Sequence, residues 1–189
     1  MRTLAFDGRM GASGDMVLGA LLAAGADRER LAAVTDALPV RYDVREVAKK
    51  GIAATAVTVR HEDADPDVDG PEHPHEDHAH THEDHAHSHE DHAHSHEDRD
   101  GHGDHDHGHA EGHGPHRTYG EVVDVVESMG LPGPVERDAL ATFEILGEAE
   151  ASVHGTDLDG TAFHEVGADD AIADVVGAAL LFDDLDPGR

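Results

Sequence analysis

Apolar and polar positions repeat along this chain with periods that change from segment to segment, and each period marks out an element. Residues 3 to 7, TLAFD, form a short apolar run ending in Asp7 and predict a first strand. A Gly-rich turn follows, and then Val17, Leu21 and Ala24 recur on one face with Leu18, Leu22 and Gly25 beside them, which predicts a helix from about Ser13 to Gly25. Asp27 is placed to cap a second, short helix that runs through Leu38 and is stopped by Pro39. Residues 41 to 48 alternate Tyr42, Val44 and Glu46 against Arg41, Asp43 and Arg45, and residues 52 to 59, IAATAVTV, are rich in β-branched side chains. With Lys50-Gly51 between them, the two runs predict a hairpin.

Periodicity then disappears from residue 61 to residue 116 and returns abruptly. Thr118 can cap a helix in which Val122, Val125, Val126 and Met129 fall at helical spacing, and Gly130 to Pro134 break it. A longer helix is predicted from Val135 to about Val153, with Val135, Ala139, Phe143, Leu146, Ala149 and Val153 toward the core and Gly155 as its stop. Residues 156 to 160 read as a turn, Phe163 to Glu165 as a short extended piece, and a last helix starts at Ala168 or Asp169 and reaches about Leu185. The fold class is α+β, a mixed α/β arrangement in which a small β-sheet packs with about five helices. Residues 1–60 and 117–189 form the two parts of one domain, and residues 61–116 form a long insertion.

The insertion holds 18 of the 20 histidines. Its centre repeats every seven residues as HEDHAHT, HEDHAHS and HEDHAHS, placing His75, His78, His80, His82, His85, His87, His89, His92, His94 and His96 at two- and three-residue spacings beside Glu-Asp pairs. Such a segment buries too little apolar surface to offset the entropy of ordering its backbone, which predicts disorder without a ligand. Clustered imidazoles suit divalent nickel, zinc, cobalt or copper. A metal reservoir and a merely solubilising acidic linker are the two readings.

Composition narrows the chemistry further. Without cysteine, disulfides, thiolate sites and thiol nucleophiles are excluded. No basic-then-apolar leader opens the chain and no apolar run approaches the length of a membrane helix, which predicts a cytoplasmic protein with no membrane partner. The formal charge of −29 splits into +2 for residues 1–60, −17 for residues 61–116 and −14 for residues 117–189, so nucleic acid is not an expected partner. Lys49 and Lys50 are the only lysines, and an acidic, lysine-poor surface fits adaptation to high salt.

Two stretches carry candidate chemistry outside the histidine tract. Gly8 to Met16, GRMGASGDM, joins a predicted strand to a helix start, an arrangement that presents backbone N–H groups to an anion. It is neither a Walker loop nor a dinucleotide fingerprint, and glycines that only permit a tight turn explain it equally well. In the second stretch Asp170 and Asp174 share a helical face, where the helix dipole alone favours acids. His164 beside Phe163 is by itself more consistent with a satisfied, partly buried side chain than with a ligand. Together His164, Glu165, Asp170 and Asp174 offer one ion or one substrate group a common site, with His154 at the preceding helix end.

Three segments, FDGRMGASGDMVLGALLAAGAD, GEAEASVHG and FHEVGADDAIADVVGAA, closely resemble the nickel insertion proteins of the LarC family, in the same order. A histidine-rich insertion of variable length also occurs in that family. The resemblance implies a CTP-dependent nickel chelatase of the lyase class, which inserts Ni2+ as substrate metal into pyridinium-3,5-bisthiocarboxylic acid mononucleotide. The product is the nickel-pincer cofactor of lactate racemase and related enzymes. The resemblance carries Asp7, Ser13 and Asp15 onto the first motif and His164, Glu165, Asp170 and Asp174 onto the second. Chemistry then suggests Asp15, His164 and Glu165 for catalysis, with Gly11, Ala12, Ser13 and Gly14 as a phosphate cradle. Asp7, His154, His164, Asp170 and Asp174, with the tract's imidazoles, are the expected nickel ligands. The family continues into a further domain that by the resemblance binds CTP with Mg2+ or Mn2+. Since the chain stops at Arg189, either a separate C-terminal half completes it as a partner or the chain is a fragment or frameshifted product; a cofactor-accepting enzyme is a further expected partner. A nickel storage or delivery protein acting through the tract alone is the alternative.

Overall fold

The computed structural model describes residues 3–9, 11–49, 51–62, 117–163 and 166–187. The repeat histidines at 75 to 96 lie outside the described residues, as do His164 and Glu165.

Five helices and one hairpin make up the regular structure: α1 (Gly14–Ala23), α2 (Ala32–Thr35), β1 (Val40–Lys49), β2 (Ile52–His61), α3 (Tyr119–Ser128), α4 (Gly133–His154) and α5 (Asp169–Leu185). This is the mixed α and β class expected from the sequence. Single 3₁₀ turns at Arg28–Leu31 and Leu158–Gly160 join these elements. The strands pair antiparallel from Val40 opposite His61 to Lys49 opposite Ile52, and Gly51 takes the positive φ of 79° that the turn between them needs. The alternation seen in the sequence holds: Val40, Tyr42, Val57 and Val59 are buried on one face, with Val44 partly buried beside them.

Helix α5 is the element on which the others assemble. It touches α1, α2, α4 and both strands, and its Ile172, Ala173, Val176, Leu180, Leu181 and Leu185 are buried. Helix α1 lies between α5 and β2. Gly19 faces the Thr55 carbonyl so closely that any Cβ there would collide with it, which lets the helix sit directly on strand backbone. Helix α3 packs on α4 and begins with a complete capping box. There Thr118 accepts from the Glu121 N–H at 3.3 Å, and the Glu121 carboxylate accepts from the Thr118 N–H at 2.7 Å.

Two expectations fail. Residues 3–7 are not a strand: no described segment runs beside them to complete a ladder, and while Leu4 packs on the core, Phe6 remains 58% exposed. The inward face of α4 also differs from the one predicted. Val135, Ala139 and Phe143 are buried as expected, but the face continues through Gly147 and Ala151, leaving Leu146 only partly buried, Ala149 exposed and Val153 78% exposed. The cause is crowding, because a Cβ on Gly147 would lie 2.7 Å from Leu158 Cδ1 and 3.0 Å from Tyr119 Cδ2. Only small residues fit under that lid, and a reading that follows large side chains misses them.

Candidate functional site

The two stretches singled out in the sequence meet where α1 crosses α5. Ahead of α1, Gly11 has φ 85° and its N–H donates to the Gly8 carbonyl at 2.9 Å, which turns the chain into the helix. Ser13 occupies the N-cap position with extended backbone, yet its hydroxyl donates to the Asp15 carboxylate and makes no capping bond to the helix. The first N–H groups of α1 are therefore not covered by the residue that usually covers them. Gly14 meets Asp174 here. A Cβ on Gly14 would fall inside the Asp174 carboxylate, so glycine at this position is what admits the acid from α5.

Asp174 has a second neighbour in Tyr42, whose hydroxyl donates to the Ala173 carbonyl at 2.7 Å. Burial raises the phenol's pKa, and the Asp174 charge raises it further, so Tyr42 stays a neutral donor. From this half-buried junction an open groove of about 360 Å³ runs along α1, α4 and α5. Asp174 and Gly14 lie along one part of it; Phe6, Val17, Leu21, Val175, Ala178, Ala179 and Phe182 give it apolar walls, and Asp138 and Thr142 of α4 complete the lining.

The other expected residues are distributed more widely. Asp170 is half-buried one turn before Asp174, and Asp15 is exposed beside Ser13. Gly11 and Ala12 are exposed in the turn. Asp7 is held by Arg9 at 2.5 Å, and this hydrogen-bonded partner lowers the carboxyl's pKa. His154 stands at the far end of α4, 3.5 Å from Glu150. Along α4 it lies twelve positions beyond Thr142 of the groove lining, a rise of about 18 Å. Among the described residues, no three His, Asp or Glu side chains stand together as a metal site.

Sequence reasoning missed Arg117. Its guanidinium pairs with Asp169 at 2.7 Å and donates to the Gly167 carbonyl at 2.9 Å, while its own carbonyl accepts from the Phe163 N–H at 3.0 Å. One residue thus holds both flanks of the His164-Glu165 pair. Asp169 is only 3% exposed as a side chain, and this ion pair accounts for a buried acid at the start of α5. The available signal was scarcity, since only three basic residues follow the histidine tract.

Comparison with known proteins identifies the family. A family described as nickel insertion protein matches residues 4–189. The chain is 33% identical, over 98% of its length and 36% of the relative's, to a protein of Akkermansia muciniphila named pyridinium-3,5-bisthiocarboxylic acid mononucleotide nickel insertion protein. It is 32% identical, over 94% of its length and 33% of the relative's, to a Methanococcoides burtonii protein provisionally named for nickel insertion. A Picosynechococcus protein with the same provisional name is 49% identical over 74 residues, which cover 39% of this chain and 18% of that one. The chain spans about a third of the length of the first two relatives. No solved structure matches it. From residue 4 to residue 189, the chain belongs to the nickel insertion protein family.

Proposed function

We propose that the chain supplies the substrate and metal site of a nickel insertase acting on pyridinium-3,5-bisthiocarboxylic acid mononucleotide, the compound named for its Akkermansia relative. The observation that carries this reading is the contact of Gly14 with Asp174, which brings together two motifs 160 residues apart in the chain. Insertion forms one nickel–carbon and two nickel–sulfur bonds, and it releases the ring proton from the metallated carbon. His164 or Glu165 takes that proton or holds the metal, Asp15 and Asp170 supply carboxylates near it, and Asp174 faces the substrate itself. Gly11 to Gly14, at the uncapped start of α1, receive the substrate phosphate. His154 and Asp7, each already paired with a neighbour, Glu150 and Arg9 respectively, act as outlying metal sites.

CTP with Mg2+ or Mn2+ belongs, on this reading, to the part of the relatives' length that this chain does not cover. The finished cofactor passes to an accepting enzyme of the lactate racemase type, and the setting is the cytoplasm. The histidine tract acts as a reservoir that raises local nickel. The tract's 18 histidines also favour a second reading, storage and delivery without catalysis.

Asp15→Ala and His164→Ala separate the two. In an assay reconstituted with a C-terminal half, each is expected to lower cofactor formation at least about tenfold; full activity in both variants overturns the catalytic reading. Deleting residues 73–113 is expected to lower the number of nickel ions bound and to leave insertion unchanged at saturating nickel. Loss of insertion under those conditions assigns the reaction to the tract.

A further inference from the structure

We infer that the groove between α1, α4 and α5 is a seat for a flat, positively charged heteroaromatic ring, with the ring nitrogen beside Asp174. The inference rests on the function proposed above and locates the substrate's pyridinium ring within it.

Three observations carry it. Among the described residues, the groove's charged lining residues are Asp174 and Asp138 and no Lys or Arg lines it, so its charge favours a cation. Its walls are apolar and include two phenyl rings, Phe6 and Phe182, whose faces attract quaternary cations. Phe6 is moreover 58% exposed in a segment with no strand partner among the described residues, which leaves a large ring beside an open groove. The volume of about 360 Å³ lies in the range of small-ligand sites.

The arrangement also resolves a charge conflict. The substrate carries a cationic ring nitrogen on one edge and two anionic thiocarboxylates toward the opposite edge, with its ribosyl phosphate attached at the nitrogen. A nitrogen placed beside Asp174 lies next to Gly14, so the phosphate is directed to the start of α1. The thiocarboxylates then point away from Asp174, where a nickel ion has access to both sulfurs and to the carbon between them.

Two commercially made probes isolate the ring charge. Nicotinamide mononucleotide has a flat pyridinium ring, and its reduced form has the same ribose and phosphate on a neutral ring. Calorimetric titration of the full chain is expected to show the oxidised probe binding at least about tenfold tighter. Asp174→Asn is expected to erase that preference, Phe6→Ala to weaken the oxidised probe several-fold, and Ala178→Phe to abolish its binding. Phe6 lies outside the core, so its variant remains informative should Ala178→Phe fail to fold. Equal affinity for the two probes, no binding of the oxidised probe, or binding unchanged by Phe6→Ala and Asp174→Asn overturns the inference. Nickel insertion by the reconstituted wild type in any of those cases leaves the proposed function standing. Charge-selective binding with no insertion has the opposite meaning: the seat is kept and the insertase reading fails.

Discussion

At the scale of single residues the site depends on one missing side chain. Gly14 read in the sequence either as a turn glycine or as part of a phosphate cradle, and neither reading needs a distant partner. Its actual partner is Asp174, and nothing in local periodicity reports which distant side chain fills the space a Cβ would take. Gly14→Ala is expected to destabilise the fold by about 1–3 kcal/mol through overpacking. Removing the acid as well relieves the clash, so Gly14→Ala combined with Asp174→Ala should cost less than the two single changes added together, with coupling above about 0.5 kcal/mol. Urea unfolding of the four proteins in this cycle measures it, and strict additivity would show that the contact carries no strain.

Among the elements, those set by local chemistry were legible. Thr118 and Glu121 announce the start of α3, Asp27 accepts from the Glu29 N–H at the turn before α2, and Gly155 ends α4 with φ 66°. Where an element depends on what lies above it, the pattern misled. Helix α4 turns small residues inward because Leu158, Tyr119 and Phe163 already occupy the space over Gly147. Gly147→Leu is therefore expected to lower stability by about 1–3 kcal/mol, whereas Ala149→Leu, one turn face away, should change it by less than about 0.5 kcal/mol. Thermal melts followed by circular dichroism distinguish the two, and the reverse order would restore the face predicted from large side chains. Of the candidate site, the two motifs were visible as motifs; their junction at Asp174 and the Arg117 anchor were not, because both are contacts between segments far apart in sequence.

Across the whole molecule, charge dominates. A formal −29 with only 13 basic residues means that acids repel one another over most of the chain. At about 0.1 M salt that repulsion extends roughly 10 Å, and at 1 M only about 3 Å. The melting temperature is expected to rise as KCl is increased from about 0.1 M to about 2 M, and a flat or falling response would show that the surface acids are already balanced locally. The ends of the histidine tract are fixed within the described body: the Glu62 N–H donates to the Pro39 carbonyl at 2.9 Å, and Arg117 is held by Gly167 and Asp169. Between those moorings the closure entropy of a chain connection rises only with the logarithm of its length. Inserting another seven-residue unit between them costs on the order of 0.1 kcal/mol on that scaling. The number of repeats is thus nearly invisible to folding, and a gene encoding this protein is free to gain or shed whole units by duplication or slippage, tuning its histidine content in steps that the folded body does not feel.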